Sequence, residues 1–150
     1  MAKNRLGSAI VIGLFLGLGA AMQGCGDDGD DLSLFVGTWQ YTQSAGAFTC
    51  TGSTPTDFTF SGRKIWGAGV TSDLVDLTDN CNYKFDVKGK VATIQAMQSC
   101  TFSDGSAEIP SSWRFSLLSP TTAEEVTATS LDGTSCSLNV SSQLTKLSKN

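Results

Sequence analysis

An all-β fold is predicted for most of this chain. It is either a single small antiparallel barrel of about eight strands or a β-sandwich. Two disulfides brace it, and an N-terminal signal helix precedes it. Three observations carry the prediction. Thr, Ser, Val and aromatic residues crowd the chain beyond Asp31. Gly, Asn, Asp and Pro recur about every 8 to 12 residues, the spacing of turns between short strands. Beyond Asp31 no run has the 3.6-residue period of an amphipathic helix, apart from a short turn over 73–77. A closed barrel also removes exposed strand edges.

The elements follow in order. A first strand over 34–43 puts Phe35, Gly37, Trp39 and Tyr41 on one face and Thr38, Gln40 and Thr42 on the other. Ser44-Ala45-Gly46 turns into a strand over 47–51, and Gly52-Ser53-Thr54-Pro55 breaks it. A strand over 56–60 and the turn Ser61-Gly62 lead to a strand over 64–71. Gly67 and Gly69 within it suggest a bulge or corner. The clearest hairpin comes next. Cys81, Tyr83, Phe85 and Val87 alternate with Asn82, Lys84 and Asp86, and Lys88-Gly89-Lys90 turns the chain. The return over 91–102 aligns Ala92, Ile94, Ala96, Cys100 and Phe102. Trp113, Phe115 and Leu117 align on a strand over 113–118, and Ser119-Pro120 ends it. A Thr-rich strand over 123–131 then meets Leu131-Asp132-Gly133-Thr134, a turn of Asp-Gly type. The last strand, 135–147, carries Cys136, Leu138 and Val140 on one face.

Cysteines add a constraint. Of five, Cys50, Cys81, Cys100 and Cys136 each sit on the apolar face of a strand, as buried structural cystines do. Cys81 begins one arm of the hairpin and Cys100 ends the other, so Cys81–Cys100 is the expected bridge and Cys50–Cys136 follows by elimination. A zinc site of all four would need paired CxxC spacing, which is missing.

The fifth, Cys25, belongs to the N-terminal segment. Lys3 and Arg5 precede an uncharged run over 6–22, the parts of a secretory signal. Three outcomes fit such a segment: cleavage near Gly19-Ala20-Ala21, an uncleaved membrane anchor, or cleavage before Cys25. Met22-Gln23-Gly24-Cys25 resembles the lipobox of bacterial lipoproteins. That resemblance implies a signal peptide over 1–24, removed from the mature chain. It also implies a lipid on the Cys25 thiol and a protein held in the cell envelope, on the inner or outer membrane. The domain would stand in the periplasm or at the cell surface. Lipidation of Cys25 would leave four cysteines to pair, and an odd cysteine in an exported chain needs such an account. Gly26-Asp27-Asp28-Gly29-Asp30-Asp31 reads as an acidic spacer within a tether over 25–33, ahead of a β-rich domain over 34–150.

Composition excludes several functions. The net charge of −4 becomes −6 once Lys3 and Arg5 are removed with the signal. An acidic domain of this kind is repelled by nucleic acid and by anionic headgroups, and Arg63-Lys64 with Lys88 and Lys90 are too few to form a basic patch. The chain has no His, which removes Ser-His-Asp and Cys-His nucleophile activation and His-ligated metals. No cofactor, metal or catalytic residue is expected. Glu124-Glu125 point to opposite faces of a strand and read as solvated. Asp73, Asp76 and Asp79 with Asn80 read as loop capping rather than a Ca²⁺ site. Ser61-Gly62-Arg63-Lys64 has the letters of SxxK but not its helical setting. Gly24-Cys25-Gly26-Asp27-Asp28-Gly29 matches GxGxxG without the strand and helix that motif needs.

Gly37-Thr38-Trp39 resembles the Gly-x-Trp that opens the first strand of lipocalin-like barrels, a shape shared by avidins and bacterial metalloprotease inhibitors. The resemblance implies that Trp39 plugs one end of a barrel. With Trp66 and Trp113, Trp39 would frame a ligand cavity. The expected function is a non-enzymatic envelope lipoprotein, a binding or structural module at the cell surface or in the periplasm, with a small apolar ligand or an envelope protein as its partner. The alternatives are a carrier of a small apolar ligand and a protease inhibitor.

Overall fold

The computed structural model describes residues 32–71, 73–132 and 134–148. The signal segment, Cys25 and the acidic spacer lie outside the described residues, as does Gly133 of the Asp-Gly turn. Among the described residues a one-turn helix, α1 (Leu32–Phe35), precedes ten antiparallel strands. These are β1 (Gly37–Cys50), β2 (Thr56–Phe58), β3 (Arg63–Ala68), β4 (Leu74–Asp76) and β5 (Lys84–Lys88). The remainder are β6 (Val91–Ile94), β7 (Cys100–Thr101), β8 (Ala107–Ser119), β9 (Thr122–Leu131) and β10 (Cys136–Lys146).

Eight strands close a barrel in the order β1-β3-β4-β5-β6-β8-β9-β10, and β10 pairs back onto β1 from Trp39↔Lys146 to Cys50↔Cys136. The four long strands β8, β9, β10 and β1 extend beyond the short ones. On this extension β2 pairs with β1 and β7 pairs with β8. The predicted barrel is therefore the observed architecture, and the sandwich alternative is not.

Several elements differ from the sequence reading, each for a local reason. Leu34 and Phe35 lie in α1 rather than in a strand. Leu32 and Leu34 pack against the core, so the folded unit includes residues assigned to the tether. Ser44-Ala45-Gly46 does not turn. β1 runs straight through it, because a bulge between Tyr41 and Gln43 takes up the extra residue and keeps β10 in register. The return strand expected over 91–102 is two strands, since the backbone leaves the ladder at 95–99, where Met97 has φ 60°. β8 starts earlier than expected, and a bulge between Pro110 and Ser112 accommodates the proline that cannot donate to the ladder. The segment over 73–77 holds strand β4.

The barrel interior is filled by rings. Phe115 meets Trp39 and Trp66 edge to face with centroids 5.2 Å apart in each pair. Phe85 meets Trp66 at 4.8 Å and Trp113 at 5.4 Å. Such pairs add to the transfer energy of the buried area. α1 covers one end: Phe35 is fully buried against Phe115, and its carbonyl accepts the Trp39 indole N–H at 2.8 Å. The disulfides are Cys50–Cys136, at a register pair of β1 and β10, and Cys81–Cys100, which ties the start of the β5 arm to β7.

Candidate functional site

Period-two alternation places three charged side chains inside the barrel. On β3, Lys64 and Trp66 face inward while Arg63 and Ile65 face out. On β9, Glu125 shares the inner face with Ala123, Thr127 and Thr129. On β4, Asp76 follows Leu74. Cross-strand pairing sets each beside an aromatic: Lys64 with Trp39, Asp76 with Trp66 and Glu125 with Phe115.

These three form one buried network. The Lys64 ammonium donates to Asp76 Oδ2 and contacts Glu125 Oε1, both at 2.8 Å, and lies 4.0 Å from the Trp113 ring centroid. Glu125 Oε1 also accepts the Trp113 indole N–H at 2.7 Å, and Oε2 accepts the Tyr41 hydroxyl at 2.9 Å. Asp76 Oδ1 accepts the Thr78 amide at 2.9 Å and its hydroxyl at 2.5 Å. Lys64, Asp76 and Glu125 are 4%, 1% and 2% exposed. Buried charges persist only when paired and hydrogen-bonded in this way.

Electrostatics fix the protonation of these groups. Burial alone would lower the Lys64 pKa, but Glu125 and Asp76 outweigh it and hold the ammonium above its ordinary 10.5. At neutral pH Lys64 is therefore a held cation and a poor nucleophile or base. Burial, then the charge of Glu125, raises the Tyr41 phenol far above its usual value, so it serves as a hydrogen-bond donor.

Above this network lies a cavity of about 190 Å³ that opens toward the extended end of the barrel. Its walls include Tyr41, Phe60 and Trp113 on the aromatic side and Asp76, Asp79, Glu108 and Glu125 on the acidic side, with Lys64 as the one cation. Phe60 stacks edge to face on Tyr41 at 5.0 Å. Asp79 Oδ1 caps the Cys81 amide at 3.0 Å. Burial raises the Glu108 carboxyl above its ordinary value.

The three predicted cavity tryptophans fall in different places. Trp39 and Trp66 are packed in the ring cluster at the closed end, and of the three only Trp113 lines this cavity. Glu124 and Glu125 do point to opposite faces. Glu125, however, is not solvated, because that face of β9 is the barrel interior. Asp73, Asp76 and Asp79 do not converge: Asp76 turns inward to Lys64, while Asp73 accepts Gln95 at 3.1 Å. Among the described residues no group of acidic or Cys side chains is arranged to hold a metal. Lys64 of the SxxK-like stretch is committed to its two carboxylates. Sequence reasoning missed Lys64 and Glu125 as partners. The available signal was that each falls in phase with apolar inward neighbours, Trp66 and Ala123.

No family model and no curated protein matches the chain. Among solved structures it is similar to a protein of unknown function of the DUF3598 family from Nostoc punctiforme PCC 73102. The two share 10% identity over 77% of this chain and 49% of the other, with a TM-score of 0.45. The chain thus spans about half the length of that neighbour.

Proposed function

We propose that this is a lipid-anchored, non-enzymatic binding protein of the bacterial cell envelope, whose ligand presents a small positively charged group to the cavity above Lys64. The observation that carries the ligand class is the charge imbalance of that cavity. Four carboxylates and three aromatic rings surround one ammonium, and that ammonium is already shared by Asp76 and Glu125. A second cation entering beside Glu108 and Asp79 meets uncompensated negative charge and ring faces, both of which favour it. A small apolar ligand has less to gain here, since Trp39 and Trp66 fill the other end of the barrel. The anchor rests on the basic residues, apolar run and Cys25 of the N-terminal segment, together with the even number of cysteines left after it.

Two measurements test the proposal. Intact mass of membrane-extracted protein should begin at Cys25 with acyl chains attached. A mass lacking lipid would remove the anchor. Calorimetric titration with alkyl ammonium, guanidinium and matched carboxylate compounds should give heat with the cations alone. Affinity should rise with pH as Glu108 ionises, and Glu108→Gln should weaken it about tenfold, the worth of one partly buried charge contact. Equal responses to cations and carboxylates would overturn the ligand class.

A further inference from the structure

The two ends of the barrel differ in charge. Antiparallel topology gathers α1, residues 69–71 and Asp73, the turns over 88–90 and 119–121, and residues 147–148 at the end opposite the cavity mouth. Backbone bonds join them there: Lys146 N–H to Thr121 O, Leu147 N–H to Thr38 O and Leu117 N–H to Lys90 O, each at 2.8 Å. Within this end Val70 is fully exposed, Leu118 is 58% exposed and Leu147 is 37% exposed, and Lys88 and Lys90 are exposed beside them. The one carboxylate among these described segments is Asp73, whose Oδ1 accepts Gln95 at 3.1 Å and whose Oδ2 lies 3.9 Å from the Lys84 ammonium. The acidic side chains Asp57, Asp79, Asp104, Glu108 and Asp132 lie toward the other end. An acidic domain thus carries one face that is apolar and basic, the chemistry of a surface that meets anionic headgroups.

The geometry points to a bilayer-docking face: this end of the barrel rests on an anionic lipid surface, with Val70, Leu118 and Leu147 at the interface and Lys88 and Lys90 on the headgroups. The inference rests on the proposed lipidation of Cys25. Leu32, the first described residue, lies at this end. The chain from Cys25 to Leu32 reaches at most about 25 Å when extended, so the anchor would hold this face, and not the cavity mouth, near the membrane. The cavity would then face away from the lipid, open to a soluble ligand.

The test uses the full lipidated chain in nanodiscs of phosphatidylglycerol and phosphatidylethanolamine, compared with detergent micelles. Amide hydrogen exchange should slow several-fold in the turns at 69–71 and 88–90 in the discs, while the turn at 103–106 keeps its rate. Lys88→Glu with Lys90→Glu should abolish that protection without changing the anchored mass. Each lysine should contribute about fivefold to the population docked on an anionic surface. Equal exchange in discs and micelles at this end, or protection at the cavity end, would overturn the docking face even where the mass confirms the lipid. A mass without lipid overturns the anchor alone. Sedimentation of that chain with phosphatidylglycerol vesicles then decides the face: binding lost in the double variant supports it, and no binding by the parent refutes it.

Discussion

Lys64→Met is the perturbation that tests the buried network most directly. The substitution keeps the length of the side chain and removes, among the described residues, the cation within hydrogen-bonding reach of both Asp76 and Glu125. Two carboxylates, each 2% exposed or less, would then share the barrel interior without a counter-charge. Breaking a buried pair from one side costs about 3 to 5 kcal/mol, because the remaining charge stays buried. For a domain of this size that lowers Tm by roughly 12 to 20 °C. The assay is urea and thermal unfolding of the oxidised protein at several pH values. In the variant the destabilising element is the uncompensated negative charge of the two buried carboxylates. Their penalty is absent when both states are protonated and grows as pH rises. The deficit relative to the parent should therefore be largest near pH 8 and shrink toward pH 5. A deficit below about 1 kcal/mol, or one that does not change between those pH values, would refute the argument that Lys64 neutralises a buried charge.

Three further outcomes follow from the same structure. Lys64, Tyr41 and Tyr83 all have folded pKa values raised above their ordinary 10.5, 10.0 and 10.0. The stability they carry is complete below those values and lost as pH rises through the folded ones, so the urea midpoint should be level from pH 7 to 9 and fall above pH 10, less steeply in Tyr41→Phe. A midpoint that stays level to pH 12 would contradict this. Phe115→Ala removes the ring that Phe35, Trp39 and Trp66 all contact, and should cost about 3 to 5 kcal/mol by equilibrium unfolding. The disulfides close loops with sequence separations of 86 for Cys50–Cys136 and 19 for Cys81–Cys100. Paired Cys→Ala replacement should then cost about 4 to 5 kcal/mol for the first and about 3 for the second, and the reverse ranking would show that native-state contacts outweigh loop entropy.

Much of the fold was legible because it is written in period two. Alternation over 83–87 marked the β5–β6 hairpin, and the phase of Trp113, Phe115 and Leu117 marked the inner face of β8. The same alternation put Cys81 and Cys100 at one end of a hairpin, where side chains can meet. Local reading failed where a long-range ladder overrode a local signal. Ser44-Ala45-Gly46 has turn-forming residues, yet pairing with 140–142 on β10 holds it extended. Gln95 to Ser99 looks like a continuing strand, yet the backbone there departs from the ladder.

The sequence by itself determined what depends on composition and nearest neighbours. Lack of His excludes imidazole chemistry, the cysteine count permits two bridges, and the alternating strands dictate an all-β domain. It also placed each charged residue on one face of its strand. Only the tertiary structure decided which face was the inside, and so that Glu125 is buried while Glu124 is not. Closure of β10 onto β1 brings Glu125 of β9 to Lys64 and Asp76, which lie on the neighbouring strands β3 and β4. Their pairing depends on barrel closure and register, quantities fixed by the sum of many cross-strand contacts and carried by no single stretch of residues.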